Sequence, residues 1–192
     1  MTDPLARLFG SPARVKLMRL FLFNPRDSFS VAETAARSRV PMAAARKELN
    51  LLVKTKLIKR ASSRSVARFT LNDDFTHRAA LQSLLLNASA RAAELPARVR
   101  STGTMRLIIV SGAFVGEWDA QLDILFVGDR IDERKLRSKI RALEAEVGKE
   151  LRYAVIATPD FLYRLNISDK LLRDVLDYPH TVVFDRLNIG LK

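Results

Sequence analysis

Between residues 41 and 70 the sequence places side chains that recognise a polyanion at intervals set by secondary structure. In PMAAARKELNLLVKTK (41–56), Ala43, Ala44, Lys47, Asn50, Leu51 and Lys54 recur three and four residues apart, with Arg46 at the flank. At about 100° per residue they share one helix face. Their chemistry suits double-stranded DNA. Lys47 and Arg46 can donate to guanine acceptors or to phosphates, Asn50 can pair with adenine, and the small Ala43 and Ala44 permit close approach to base edges. Leu51 is the discordant member and suits a thymine methyl or another part of the protein. Downstream, Ser63 and Arg64 stand at the centre of ASSRS (61–65), and Arg68 follows. A cation among short hydroxyl donors suits a grip on a phosphate backbone. Surface Lys and Arg on a helix are commonly only solvated, so the pattern needs elements that would aim it.

Those elements are readable on either side. Ser11-Pro12 is a helix start, with Ser as cap and Pro at the first helical position. Val15, Leu17, Met18, Leu20, Phe21 and Leu22 predict a helix buried over much of its circumference, and Asn24-Pro25 stops it. Ser30 caps a shorter helix through residue 36, with Val31, Thr34 and Ala35 available to the core. A turn at 38–40 leads to Pro41, which opens a third helix over 41–56 with Met42, Ala45, Leu49, Leu52 and Val53 on its core face. Residues 57–60 and 66–71 read as two strands joined by 61–65. Helix, short helix, turn, longer helix and hairpin is the order of a winged helix-turn-helix. There the longer helix enters the major groove and the hairpin tip lies over a neighbouring phosphate strand.

Charge agrees with that placement. The chain carries a net +12, yet residues 1–70 hold 15 basic and only four acidic residues, a net +11. The remaining residues are nearly balanced, with 18 basic and 17 acidic. A basic excess confined to one third of the chain is the footprint of a polyanion-binding module. With no cysteine there is no disulfide framework and no zinc–thiolate site. No apolar run reaches the ~20 residues that span a bilayer. The N-terminus lacks the basic and apolar pattern of a signal peptide, and a cytoplasmic location is the expectation.

The rest alternates helical and strand patterns. Leu81, Leu84, Leu85, Ala88 and Ala92 predict one connecting helix over 75–100, ended by Pro96 and available for a dimer contact. After a linker at 101–104, strands are expected at 107–110, 122–127, 153–157 and 181–184. Helices are expected at 132–147, from 158, and at 168–176. The fold class is α+β: a winged helix-turn-helix (1–74), the connecting helix (75–100), and a small mixed α/β domain (101–192).

The run LFGSPARVKLMRLFLFNP (8–25) resembles the opening of prokaryotic winged-helix regulators fused to a nucleotidyltransferase-fold domain. Arg46-Lys47-Glu48-Leu49 and Leu57-Ile58-Lys59 are similar to the recognition helix and first wing strand of such proteins. Residues 71–75 (LNDDF) resemble their exit from the wing. Residues 158–161 (TPDF) and 171–177 (LLRDVLD) resemble segments at the end of the nucleotidyltransferase-like part. The resemblance implies that the C-terminal domain has that fold. It also implies an active-site pattern of Gly-Ser, a loop with Gly-Glu, and Asp-x-Asp on a strand, whose two carboxylates hold Mg²⁺ against a triphosphate. Here Gly116-Glu117 and Asp123 match, Gln121 stands at the first carboxylate, and the Gly-Ser pair reads Ser111-Gly112. Gln is neutral and a poor ligand for a hard cation, and residues 152–157 add no third carboxylate. Asp119 lies about 13 Å from Asp123 along an extended strand.

The expectation is therefore a degenerate, non-catalytic domain with no cofactor, used for dimerisation, sensing or partner binding. Its partners would be double-stranded DNA, a second copy of the chain, and a nucleotide or protein effector. The alternative is an active Mg-dependent nucleotidyltransferase using Asp119, Asp123 and Glu117 on nucleic acid or protein. A scaffold that binds no DNA is the third reading. His77 and His180 lack metal-ligand spacing, and no Walker loop or nucleophile elbow is present. Trp118 could stack on a base, but filling a vacated pocket is the preferred role.

Overall fold

The computed structural model describes residues 3–62, 66–86 and 91–190. The chain divides into two compact units, residues 1–87 with 142–150 and residues 88–141 with 151–192.

In the first unit, Asp3 caps α1 (Pro4–Leu8) and Ser11 caps α2 (Pro12–Phe23), its Oγ accepting from the Arg14 amide at 3.1 Å. Helix α2 is buried almost all round, as its apolar run requires, and Asn24 closes it by donating to the Leu20 carbonyl at 2.7 Å. A three-residue strand, β1 (Ser28–Ser30), comes next; it is too short to show a period-two pattern and was not expected. Helix α3 (Val31–Ser38) opens with a capping box. The Ser30 hydroxyl accepts from the Glu33 amide, and the Glu33 carboxylate accepts from the Ser30 amide. Helix α4 (Met42–Lys54), strands β2 (Ile58–Ser62) and β3 (Ala67–Leu71), and helix α5 (Arg78–Leu85) follow. The antiparallel sheet runs β1-β3-β2, with Phe29 opposite Phe69 and Ile58 opposite Leu71 on its buried face. The order of helix, short helix, turn, longer helix and hairpin is the one read from the sequence, with β1 added at the edge of the hairpin.

The second unit begins with α6 (Leu95–Val99), β4 (Thr104–Val110) and β5 (Ile124–Asp129), an antiparallel pair. Helix α7 (Glu133–Val147), whose residues from 142 onward count with the first unit, crosses over to β6 (Tyr153–Ile156), which pairs parallel to β5. Parallel neighbours need such a crossover. Helices α8 (Thr158–Asn166) and α9 (Lys170–Leu176) and strand β7 (Thr181–Asp185) complete a sheet of order β6-β5-β4-β7. Leu107, Ile109, Leu125, Val127, Ile156, Phe161, Leu172 and Val175 form one core cluster.

Three expectations are corrected. The connecting segment is not one helix, because α5 ends at an extended Leu86 and a separate α6 carries Pro96 in its first turn. Proline ends a helix it follows and suits a helix it opens. Strand β5 begins at Ile124 rather than at 122, so Asp123, expected on the strand, precedes it. Met42 is 45% exposed, and Glu48, not Met42, joins Ala45, Leu49 and Leu52 on the buried side of α4.

Candidate nucleic-acid interface

Helix α4 is held from beneath and largely exposed above. Ala45, Leu49 and Leu52 are buried. Glu48 is buried beside them and tolerated because Arg14 of α2 donates Nε to its Oε2 at 2.8 Å. Arg14 also donates to the Phe9 carbonyl at 2.6 Å, which ties α4 through α2 to the turn after α1. Ala43, Arg46, Lys47, Asn50 and Lys54 are all exposed on the opposite face, and Ala44 and Leu51 are half-buried. The expected face is therefore largely outward, with Ala44 and Leu51 at its margin.

The turn into α4 is sharp. Arg39 adopts φ +50°, and Arg39 and Val40 return their amides to the Ala36 and Ala35 carbonyls. Pro41 supplies no amide and no side-chain cap, so the first amides of α4 have no side-chain acceptor.

On strand β3 of the hairpin, Arg68 has partners within the protein. Arg68 on β3 donates Nε to the Ser28 hydroxyl at 2.8 Å and Nη2 to the Ser28 carbonyl, and pairs with Glu33 at 3.1 Å. Its guanidinium joins β1, β3 and the start of α3, so it acts first as a brace for the sheet. The Ser28–Thr70 register made that partnership possible, and a sequence reading that lacks β1 could not find it. Ser63 and Arg64 lie outside the described residues. Lys59, on the same sheet face as Arg68, pairs with Asp74 at 2.8 Å and is exposed.

In the second unit Asp123, the expected second carboxylate, is held in an ion pair with Arg152. Asp123 is fully buried. Its Oδ1 accepts from the Ala113 amide at 2.9 Å, and its Oδ2 accepts from the Arg152 amide at 2.8 Å and the Arg152 Nε at 3.1 Å. Gly112 makes room at φ +52°, since a Cβ there would lie 2.3 Å from Asp123 Oδ1. Glu117, Asp119 and Gln121 are exposed in the adjoining loop. Arg152 Nη2 donates to the carbonyl of Trp118, which is half-buried. Among the described residues no group of three or more His, Asp or Glu side chains is gathered as metal ligands. An apolar recess of about 370 Å³ in this unit is lined by Val110, Phe114, Val115, Val183 and neighbouring alanines, with Thr181 as its polar member. Among the described residues no helix is long and apolar enough to cross a membrane.

No family model matches the chain, and no curated protein matches it. Among solved structures it is similar to reduced HlyU from Vibrio cholerae, at 18% identity over 42% of this chain and 83% of that one, with a TM-score of 0.33. That likeness is too low to bear on fold or function.

Proposed function

We propose that this chain is a sequence-specific, DNA-binding transcriptional regulator, a cytoplasmic homodimer that reads the major groove with α4. The observation that carries the reading is the division of α4. Ala45, Leu49 and Leu52 anchor one side while Ala43, Arg46, Lys47, Asn50 and Lys54 stand free on the other, within a segment of net charge +11. A cationic, groove-sized helix on a rigid scaffold is what base readout needs. Ser63 and Arg64 would add phosphate contacts at the hairpin tip. Arg68 would act through the sheet it braces.

The C-terminal unit is read as a degenerate nucleotidyltransferase-like domain serving dimerisation, sensing or partner binding. Its antiparallel β4–β5 pair followed by a crossover to parallel β6 supports that reading of the fold. The capture of Asp123 by Arg152 and the Ala113 amide supports a non-catalytic role. The apolar recess suits a small apolar effector better than a nucleotide, whose phosphates need cations.

Selection of bound fragments from random DNA by the full chain tests the proposal. A recovered motif with two half-sites about one helical turn apart is expected, with binding weakened by Lys47→Ala. No enrichment at about 0.15 M salt, or a motif indifferent to Lys47 and Arg46, would sink it. Label transfer from a nucleoside triphosphate with Mg²⁺, abolished by Asp123→Asn, would instead establish the enzyme.

A further inference from the structure

Helix α3 is the first helix of the helix-turn-helix, the one that crosses the phosphate backbone while the start of the next helix reads bases. Arg37 lies on its last turn, five residues ahead of Met42, where α4 begins. Its guanidinium sits 5.5 Å from the centre of the Phe29 ring and donates Nη2 to Glu150 Oε1 at 2.9 Å. Both side chains are open to solvent, at 39% and 72% exposure, so the pair contributes little to stability.

Glu150 is nonetheless held in place. Two residues before it, the Gly148 carbonyl accepts from Asn24 Nδ2 at 2.6 Å, and the Glu146 carbonyl accepts from buried Arg19 at 3.3 Å. Gly148 packs so close to Arg19 that a Cβ would lie 2.5 Å from its backbone carbon. Glu146 in turn is a charged neighbour of half-buried Lys16, as is Arg39. A carboxylate tethered this way faces Arg37 at a high effective concentration. It occupies a guanidinium whose preferred alternative partner is a phosphate.

We propose that Arg37 is a further phosphate contact for the duplex and that Glu150 is its built-in competitor, released when DNA binds. The inference rests on the DNA-binding reading of α4. Neither residue belongs to the groove-reading face, so substitutions here test the contact without touching base readout.

The experiment is fluorescence anisotropy of the full chain on a duplex recovered by the selection above, over a salt series. It compares wild type, Glu150→Gln, Arg37→Gln, the double variant and Lys47→Ala. Glu150→Gln is expected to tighten binding about two- to fivefold, the range an exposed ion pair supplies. Arg37→Gln is expected to lower the slope of log affinity against log salt by about one and to cancel the gain in the double variant. Unchanged affinity and slope in the Glu150 and Arg37 variants, with Lys47→Ala still weak, would overturn this proposal alone. So would a Glu150→Gln gain that persists without Arg37. Failure of every chain, wild type included, to bind any duplex would overturn it together with the DNA-binding reading.

Discussion

Asp123 and Arg152 form an ion pair in which the carboxylate is wholly buried and the guanidinium is two-fifths exposed, with Oδ2 3.1 Å from Nε. The carboxylate also holds the amides of Ala113 and Arg152, so it ties the loop after β4 to the chain entering β6. Removing the acid strands two amides at about 1–3 kcal/mol each where they stay dry. Arg152→Ala leaves those amides as partners and should cost about 2 kcal/mol, less than stripping a bare buried charge. Gly112→Ala should cost about as much, because its Cβ meets Asp123 Oδ1 and the Leu122 carbonyl at a positive φ. Urea unfolding measures all three. Wild-type stability in Asp123→Ala would show that the pair is not structural.

The capping box at the start of α3 sets a pH dependence. The Glu33 carboxyl is held below its ordinary value of 4.5, first by the Ser30 amide, then by the Ser30 hydroxyl, with Arg68 adding a smaller pull. A group whose folded value is depressed contributes stability that is complete above the unfolded value and disappears as pH falls through the folded one. The melting-temperature gap between wild type and Glu33→Gln should therefore be constant near neutrality and close below about pH 4.5. Ser30→Ala should cost about 1 kcal/mol, as loss of a cap does. A gap that widens on acidification would mean that Glu33 is not the accepting partner.

Local signals and distant partners divide what was readable beforehand. Ser11-Pro12 and Ser30 announced their helices because a cap bonds within three residues, and the structure has both bonds. The outward face of α4 was readable because its period is intrinsic to the helix. Glu48 was not, since its burial depends on Arg14, 34 residues earlier. Met42 fits the apolar period, yet it stands at the exposed first turn, where the stripe runs out. Pro96 was misread because a proline that stops a helix and one that starts the next look alike from one side. The Ser28 partners of Arg68 were not readable because β1, which carries them, is only three residues long.

Glu48 separates anchoring from reading. Glu48→Gln keeps the shape and loses the charge, and should cost about 1 kcal/mol. Glu48→Ala leaves Arg14 with the Phe9 carbonyl and water, and should cost about 2 kcal/mol, below the range for a fully buried partner. Glu48 lies on the buried side of α4, opposite exposed Arg46, Lys47, Asn50 and Lys54, so under the proposed DNA-binding function the loss of affinity should be uniform across sequences. Competition assays with single-base operator variants check this. A change in base preference on Glu48→Gln would place the residue in the groove and reverse the orientation given to α4.

Gly148 lies far along the chain yet belongs to the N-terminal unit. A Cβ at this position would lie 2.5 Å from both the carbonyl carbon and the Cβ of Arg19, and 2.8 Å from the Leu20 nitrogen. These are atoms of α2 that have nowhere to move, and the residue's φ of +85° is itself unfavourable for any other side chain. Gly148→Ala should therefore lift residues 146–150 off α2, breaking the bonds from Asn24 and Arg19 that hold them. The strained φ alone costs about 1–3 kcal/mol, and the displaced bonds add to that. Hydrogen exchange should then show faster exchange at Arg19 and Leu20 in the variant than in wild type. Equal protection at those two amides, with an unchanged melting temperature, would mean that the segment is not seated on α2 as described.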